Sequence, residues 1–435
     1  MTSVPPRRSA YAWFVVLLLT AAHVLSYVDR QILNLMVDPI RADLGVSDTG
    51  MSLLMGFSFA IFYTVCGIPL AWWADRGSRR GLIALGAFAW SLATAACGLA
   101  LRYGSLLAAR IGVGIGEASL SPAAYSLITD YFPRERRASA ISLFGSGVYI
   151  GSGAAYLLGG AIIHYASTHP LPTLPLVGAP KPWQFVFLLL GVVGAVFSVV
   201  LLAIREPVRG ARRSTTPFAL LRSELRANAR TLICHHLGFA MIAVATYGSA
   251  AWIPSYLIRL HHWTRVEVGI WYGGAVALFG TLGVLAGGAL ADRLLRRGVE
   301  DATLRVGLFA ALAAIPSTAL FLLAGDRALV LTMVPAIFFF SMPFGVAPAG
   351  LQEVVAPAVR AQVSAIYLFV LNLLGLGFGP TAVALVTDYV YGDKLAVGHS
   401  LLLVCTLAPT LAAILLRLGR TPFRASLARQ RALAA

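Results

Sequence analysis

Charge is what this chain has least of. Asp, Glu, Lys and Arg make up 12% of its 435 residues, about half the share of an ordinary soluble domain. A large hydrated surface is therefore excluded, and with it a cytosolic enzyme or a nucleic-acid-binding domain. Lysine is nearly missing, two residues against 32 arginines, and the four cysteines show no CxxC spacing. Cys66, Cys97, Cys234 and Cys405 lie inside apolar runs and read as small hydrophobes, with no disulfide framework or metal site. The eight histidines contain no HExxH signature, and no GxxxxGK[ST] loop occurs. Both absences argue against a metallo-enzyme and a nucleotide-driven pump. No cofactor, no metal and no nucleic-acid partner is expected, and the tails are too short for a signalling domain.

What the chain has instead is apolar length. Hydrophobic residues make up 58% and mean hydropathy is +0.79. Runs of about 20 apolar residues cross a bilayer core, and twelve are expected. The first six are Tyr11–Met36, Gly50–Ala74, Gly81–Leu101, Ser105–Asp130, Ala138–Tyr165 and Trp183–Ile204. The second six are Thr231–Leu257, Val266–Ala291, Ala302–Ala324, Ala328–Ala349, Gln362–Val386 and Val397–Leu416. Backbone groups in lipid must be satisfied within each segment, so the spans are helices and the fold is an all-α membrane protein. The first run lacks a cleavage-site pattern and reads as a retained span.

Arginine placement gives the topology. With the termini and the even-to-odd loops on one face, that face holds 25 Lys+Arg and the other seven; Arg30 and Arg110, inside spans, complete the 34. The positive-inside pattern puts both termini in the cytoplasm of a multi-pass protein of the bacterial inner membrane. The basic excess is mostly topology, with some attraction to anionic lipid. Residues 1–204 form one expected six-helix bundle, 205–230 a basic cytoplasmic linker, and 231–435 a second bundle with a basic tail. Within the linker, Pro217 to Leu221 followed by Arg222 and Arg226 suits a short interfacial helix.

The halves echo one another. Ala74-Asp75-Arg76 returns as Ala291-Asp292-Arg293, each followed by an arginine pair, Arg79-Arg80 and Arg296-Arg297. Ser139-Ala140-Ile141-x-Leu143-Phe144 returns as Ser364-Ala365-Ile366-x-Leu368-Phe369. Two pseudo-symmetric six-helix bundles from a duplicated unit are the build of alternating-access carriers.

Charged side chains at helix centres cost about 2.5–3.5 kcal/mol and mark function. The first half has four, Asp29, Arg30, Arg110 and Glu117, and the second has none at comparable depth. His23, Tyr27, Arg30 and Asn34 make one polar stripe along the first span, with Asp29 about 100° off it. Arg110 and Glu117 share a face of the fourth span about 10 Å apart. Asp29 is expected to pair with Arg110, leaving Arg30 to reach Glu117. Glu117 is then the expected proton-binding group, Arg30 the modulator of its proton affinity and an anchor for an anionic headgroup, with Arg110 beside it. His23 could share the proton, although a packing role is the simpler reading. His235 and His236 are expected to snorkel to the interface. Aromatic and polar groups of the second half, Tyr247, Trp252, Phe340, Tyr367 and Asn372, are candidate substrate contacts together with Tyr27 and Asn34. Asp75, Arg76, Arg79, Arg80 and Asp130, with Asp292, Arg293, Arg296 and Arg297 as counterparts, are expected to form a gating charge network between helix ends.

Ala71 to Arg80, with Asp75, Arg76, Arg79 and Arg80 in register, resembles the major facilitator signature G-x-x-x-D-R-x-G-R-R/K, with Ala71 and Ser78 at its two glycines. Arg110, Gly114 and Gly116 match the fourth-helix R-x-x-x-G-x-G motif of that superfamily. Tyr27-Val28-Asp29-Arg30, Gly114 to Ala118, Asp130 to Pro133 and above all Asn372 to Pro380 are similar to the Spinster branch. The resemblance implies a secondary carrier, not an enzyme, functional as a monomer, and a gate that breaks and reforms at the signature loop. For the Spinster branch it implies proton-linked transport of lysophospholipids or sphingosine phosphates. The helix 1 and helix 4 elements also occur in organic anion:cation symporters, so a proton-coupled symporter of a small organic anion such as a sugar acid is the alternative. A polytopic membrane enzyme or sensor is the alternative of another class. Gly147-x-x-x-Gly151 is followed by Ser152 where antiporters often carry proline, so the direction of transport stays open. The expected partners are protons, an amphiphilic or anionic small molecule and the lipid bilayer.

Overall fold

The computed structural model describes residues 6–132, 134–173, 178–207 and 218–434. Among them it is helical, with no strand element. Eleven helices are long and apolar enough to cross a membrane: α1 Ala10–Leu35, α2 Asp48–Ala71, α3 Arg79–Gly98, α5 Ser139–Thr168, α6 Pro182–Leu201, α7 Ala229–His261, α8 Arg265–Arg296, α9 Ala302–Leu322, α10 Asp326–Val354, α11 Gln362–Tyr391 and α12 Lys394–Ala432. The fourth expected span is present but broken, as α4a Tyr103–Glu117 and α4b Leu120–Tyr131. The cause is local. Pro122 has no N–H to return to the Ala118 carbonyl, so the helix cannot run through that turn. Ser119 caps the break by donating its hydroxyl to the Gly116 carbonyl at 2.8 Å.

The chain divides into two compact units, Met1–Arg212 with His262–Ala277, and Arg213–His261 with Leu278–Ala435. The start of α8, up to Ala277, thus belongs to the first unit. There a Cβ on Gly273 would come within 2.9 Å of the Tyr156 Cβ, and Arg265 Nε donates to the Leu35 carbonyl at 3.2 Å.

Glycines set the closest approaches within the first unit. A Cβ on Gly116 would lie 2.7 Å from the Trp90 backbone nitrogen, and one on Gly114 3.1 Å from the Phe59 carbonyl. The two glycines of the fourth-helix motif therefore let α4a lie directly against α3 and α2. On α5, a Cβ on Gly151 would be 2.7 Å from the Tyr27 Cβ, so α1 is held at the level of its charges. In the second unit, Gly379 does the same against α7, where a Cβ would be 2.6 Å from the Val244 carbonyl. The glycine-rich stretch of α11, Asn372–Phe378, is wound as a wider π-helical turn. Leu53–Phe57 of α2 is wound in the same way. Such turns leave carbonyls free for other donors, and one of them matters below.

Candidate functional site

Four charged side chains meet inside the first unit, and all are buried: Asp29 and Arg30 from α1, Arg110 and Glu117 from α4a. Arg30 Nη2 reaches Glu117 Oε2 at 2.7 Å. Ser26, one turn before Arg30, donates to the same oxygen at 2.6 Å. The Arg30 guanidinium is wrapped by aromatic faces, with ring centroids of Phe59 at 4.2 Å, Tyr27 at 4.6 Å and Tyr63 at 5.3 Å. A cation in a low-dielectric interior is stabilised by such rings as well as by its counter-ion. Glu117 ends α4a at the proline break, so its side chain leaves the helix where the backbone turns.

Asp29 points to the other side of α1. It accepts a hydrogen bond from Thr94 Oγ1 of α3 and stands 4.0 Å from Arg110 Nη1. Arg110 is wholly enclosed. Its Nη1 and Nε reach the carbonyls of Asp29 and of Leu54, each at 3.5 Å. The Leu54 carbonyl belongs to the π-helical turn of α2. In this conformation Arg110 meets protein groups. Among the described residues, Glu117 Oε1, Arg30 Nε, Asp29 Oδ1 and Arg110 Nη2 are buried without a hydrogen-bond partner. The network is incompletely satisfied, a costly arrangement in a pure packing core.

The polar stripe of α1 divides. Arg30 faces α4a, whereas His23 and Asn34 face α5. His23 Nδ1 bonds the Phe144 carbonyl at 2.9 Å and its ring stacks on Phe144 at 4.4 Å. A carbonyl only accepts, so that nitrogen carries a proton and the imidazole is committed to α5. Asn34 Nδ2 donates to the Tyr156 hydroxyl at 3.3 Å and to Gln31 Oε1 at 2.7 Å.

The signature loop forms a second charge cluster at the helix ends. Arg79, at the start of α3 and 2% exposed, pairs with Asp130 at the end of α4b. It also pairs with Glu206 just past α6, at 2.8 Å. The Arg80 backbone N–H donates to Glu206 at 3.0 Å, and the Arg80 side chain reaches the Leu202 and Ile204 carbonyls at 3.4 Å. Burial alone would raise the Glu206 carboxyl, but the hydrogen bonds from Arg80 and Arg79 outweigh it and hold it below the usual range. The Asp75 side chain lies outside the described residues, and Arg76 lies exposed at the end of the helix that continues α2. Asp292, Arg293, Arg296 and Arg297 are exposed too. In the second unit the buried Asp301 holds Arg305 Nε at 3.0 Å and Arg420 Nε at 2.5 Å. These bonds overcome the opposing effect of burial, and the carboxyl is lowered.

The second-half candidates are dispersed. Trp252 is enclosed and donates its indole N–H to the Pro380 carbonyl at 2.9 Å, which joins α7 to α11. Phe340 is buried, and Tyr247 meets Phe344 edge to face at 6.1 Å. Asn372 is half-buried at the start of the π-helical turn of α11. Tyr367 packs edge-on against His235 and His236, with centroids at 5.3 and 5.5 Å. Both histidines are buried, which corrects the expectation that they snorkel. His235 Nε2 is bound to the Ala347 carbonyl of α10 at 2.9 Å, and an imidazole so held cannot swing to an interface.

The chain matches the model of the Major Facilitator Superfamily over residues 19–380. The chain belongs to that superfamily. It is therefore a transporter of the inner membrane and not an enzyme. The facilitator is 30% identical to an MFS-type efflux pump of Mycolicibacterium smegmatis, over 96% of this chain and 94% of the pump. It is 27% identical to a probable L-galactonate transporter of Escherichia coli K12, over 92% of this chain and 88% of that protein. A bacterial homologue of the human lysosomal transporter Spinster, solved inward-facing and unoccupied, superposes with a TM-score of 0.80. That match has 26% identity and covers 98% of this chain and 99% of the other. The chain is also 28% identical to human protein spinster homolog 1, over 89% of this chain and 75% of that protein, and with the superposed structure and the motif in α11 this supports the Spinster branch of the superfamily.

Sequence reasoning did not find Ser26, Thr94, Phe59, Tyr63 or Glu206. Ser26 carried a signal, four residues before Arg30 on the same helix. Phe59 and Tyr63 carried a weaker one as an i, i+4 aromatic pair. Thr94 carried none, because only packing brings α3 to Asp29.

Proposed function

We propose that this facilitator is a proton-coupled carrier of an amphiphilic anion of the lysophospholipid or sphingoid phosphate kind, working by alternating access. The observation that supports it most is the enclosed Arg30–Glu117 contact, at 2.7 Å with 8% and 0% of the side chains exposed. A buried guanidinium needs a counter-anion, since an unpaired charge there costs several kcal/mol. In this conformation Glu117 is that anion. When Glu117 takes a proton, Arg30 loses its partner, and a solute phosphate or carboxylate can replace it. Proton and anion then bind together because each removes the penalty left by the other. The aromatic faces of Tyr27, Phe59 and Tyr63 keep the guanidinium oriented during the exchange and would also meet an acyl chain. Asp29, Thr94 and Arg110 hold α1, α3 and α4a in register so that Arg30 is presented to Glu117. The Arg79 cluster opens and closes the helix ends as the gate. Coupling requires the closed contact to open to solvent in another conformation.

The same exchange would serve a sugar acid, whose carboxylate could replace Glu117, and the relatedness to a probable L-galactonate transporter favours that second reading. Reconstitution in liposomes with an imposed pH gradient separates the two, using lysophospholipids, sphingoid phosphates and hexuronates as solutes. Proton-driven flux of the lipid-like anions, with gradient dependence abolished in Glu117→Gln, is the expected result. Selective hexuronate flux would move the assignment to the sugar acid, and a Glu117→Gln carrier with undiminished response to the gradient would remove Glu117 from the coupling step.

A further inference from the structure

The second unit carries an ordered basic ridge that neither the carrier mechanism nor the signature loop uses. The helix Phe218–Ala227 leads through Asn228 directly into α7, so it lies at the edge of a membrane span. Its only acid, Glu224, is buried and turned inward. There Glu224 Oε2 accepts from Asn228 Nδ2 at 3.1 Å, Gln430 Nε2 at 3.1 Å and Arg429 Nη2 at 3.2 Å. Arg222 and Arg226, with Arg230 at the start of α7, point the other way and are exposed. Their spacing of four residues places them on one helix face. An open cleft of about 630 Å³ is lined by Ala219, Arg222, Ser223, Arg226 and Ala227.

The far end of α12 follows the same rule. Past Leu416 the chain has five arginines and no acid. Arg420 and Arg431 are taken up by Asp301 and Glu300, both at 2.5 Å, while Arg417 and Arg424 remain exposed. Glu224, Asp301 and Glu300 are thus engaged in fastening the linker helix and the tail, while Arg222, Arg226 and Arg230 are left exposed. A ridge of guanidiniums fixed on a clamped helix is preorganised for a phosphate, which they bind as paired donors.

We propose that the Arg222–Arg226–Arg230 ridge is a binding site for the phosphate headgroup of an anionic phospholipid. Membrane adjacency selects a lipid over a soluble partner, since the ridge joins α7 with one intervening residue. Exposed Leu220 beside the ridge suits the upper acyl region of the same lipid. Binding there would fix the entry to α7 and so the second unit relative to the bilayer plane.

The test is lipid binding to the purified full chain by native mass spectrometry, with phosphatidylglycerol, phosphatidylcholine and inorganic phosphate as separate arms. The wild type is expected to retain phosphatidylglycerol in preference to phosphatidylcholine. The triple substitution Arg222→Gln, Arg226→Gln, Arg230→Gln should weaken that retention by about tenfold or more. All three side chains are exposed, so folding should persist; a thermal unfolding midpoint equal to the wild type's verifies this. Arg102→Gln, at an exposed arginine of the first unit, should leave retention unchanged. Retention of phosphatidylglycerol by the triple variant at wild-type level would overturn the proposal. So would equal retention of phosphatidylcholine by the wild type, or saturation of the ridge by inorganic phosphate at the same concentration.

Discussion

The two units bury charge in different places. In the first, Asp29, Arg30, Arg110 and Glu117 are buried within the spans. In the second, the buried Asp, Glu and Arg residues among those described are Glu224 and Asp301, both outside the spans, while its span interior holds His, Ser and Thr. At the helix ends the units agree in design and differ in sign. Arg79, at the start of α3, sits between two acids, Asp130 and Glu206. Asp301, just before α9, sits between two arginines, Arg305 and Arg420. A clasp between helix ends works with either sign at its centre, since Coulomb attraction is unchanged when both charges are exchanged. A group that must take up and release a proton has no such freedom, because arginine stays cationic. A duplicated unit can therefore carry its clasp with either sign at the centre.

The comparison breaks most sharply at Arg110. Replacing it by Leu leaves Asp29 buried without a cation, and about 3–5 kcal/mol of stability should be lost. Thermal unfolding in detergent would show this, and adding Asp29→Asn should restore part of it. A fully stable Arg110→Leu would mean that the Asp29 pair is not what holds α1 to α4a.

The inverted clasp comes next. Asp301→Asn removes two charge-assisted hydrogen bonds, about 1.5–3 kcal/mol, while transport continues because no solute-binding group is touched. Its pH dependence has a defined sign. The folded carboxyl is lowered, so its stabilisation is complete above the ordinary aspartate range, about pH 4. It is lost as pH falls through the depressed folded value. The acid limb of the stability profile should flatten in Asp301→Asn, and an unchanged limb would show that the clasp adds nothing. The smallest effect is expected at Trp252→Phe. Loss of the bond to Pro380 should cost about 1 kcal/mol with solute affinity unchanged, and an altered KM would return Trp252 to the substrate path.

Much of the plan was legible because it depends on local pattern. Apolar run length gave the spans, and alternation of arginine gave the expected sidedness. Helical spacing put Arg30 and Asp29 on different faces of α1. The repeated Asp-Arg motif was equally visible but pointed to Asp292, which is exposed, whereas Asp301 does the fastening. Asp301 bonds Arg420 across 119 residues of sequence, and no periodicity reports such a meeting. The burial of His235 and the Thr94 contact to Asp29 were hidden for the same reason.

By itself the sequence determined that the chain is a bundle of lipid-spanning helices with its intramembrane charge in one half, since bilayer thickness and the cost of charge in lipid act on every segment separately. Only the tertiary structure decided which charges meet. A partner is chosen by how helices rotate and how closely glycines such as Gly114, Gly116 and Gly151 let them approach. Ångström-scale differences in that packing separate an ion pair from an isolated charge.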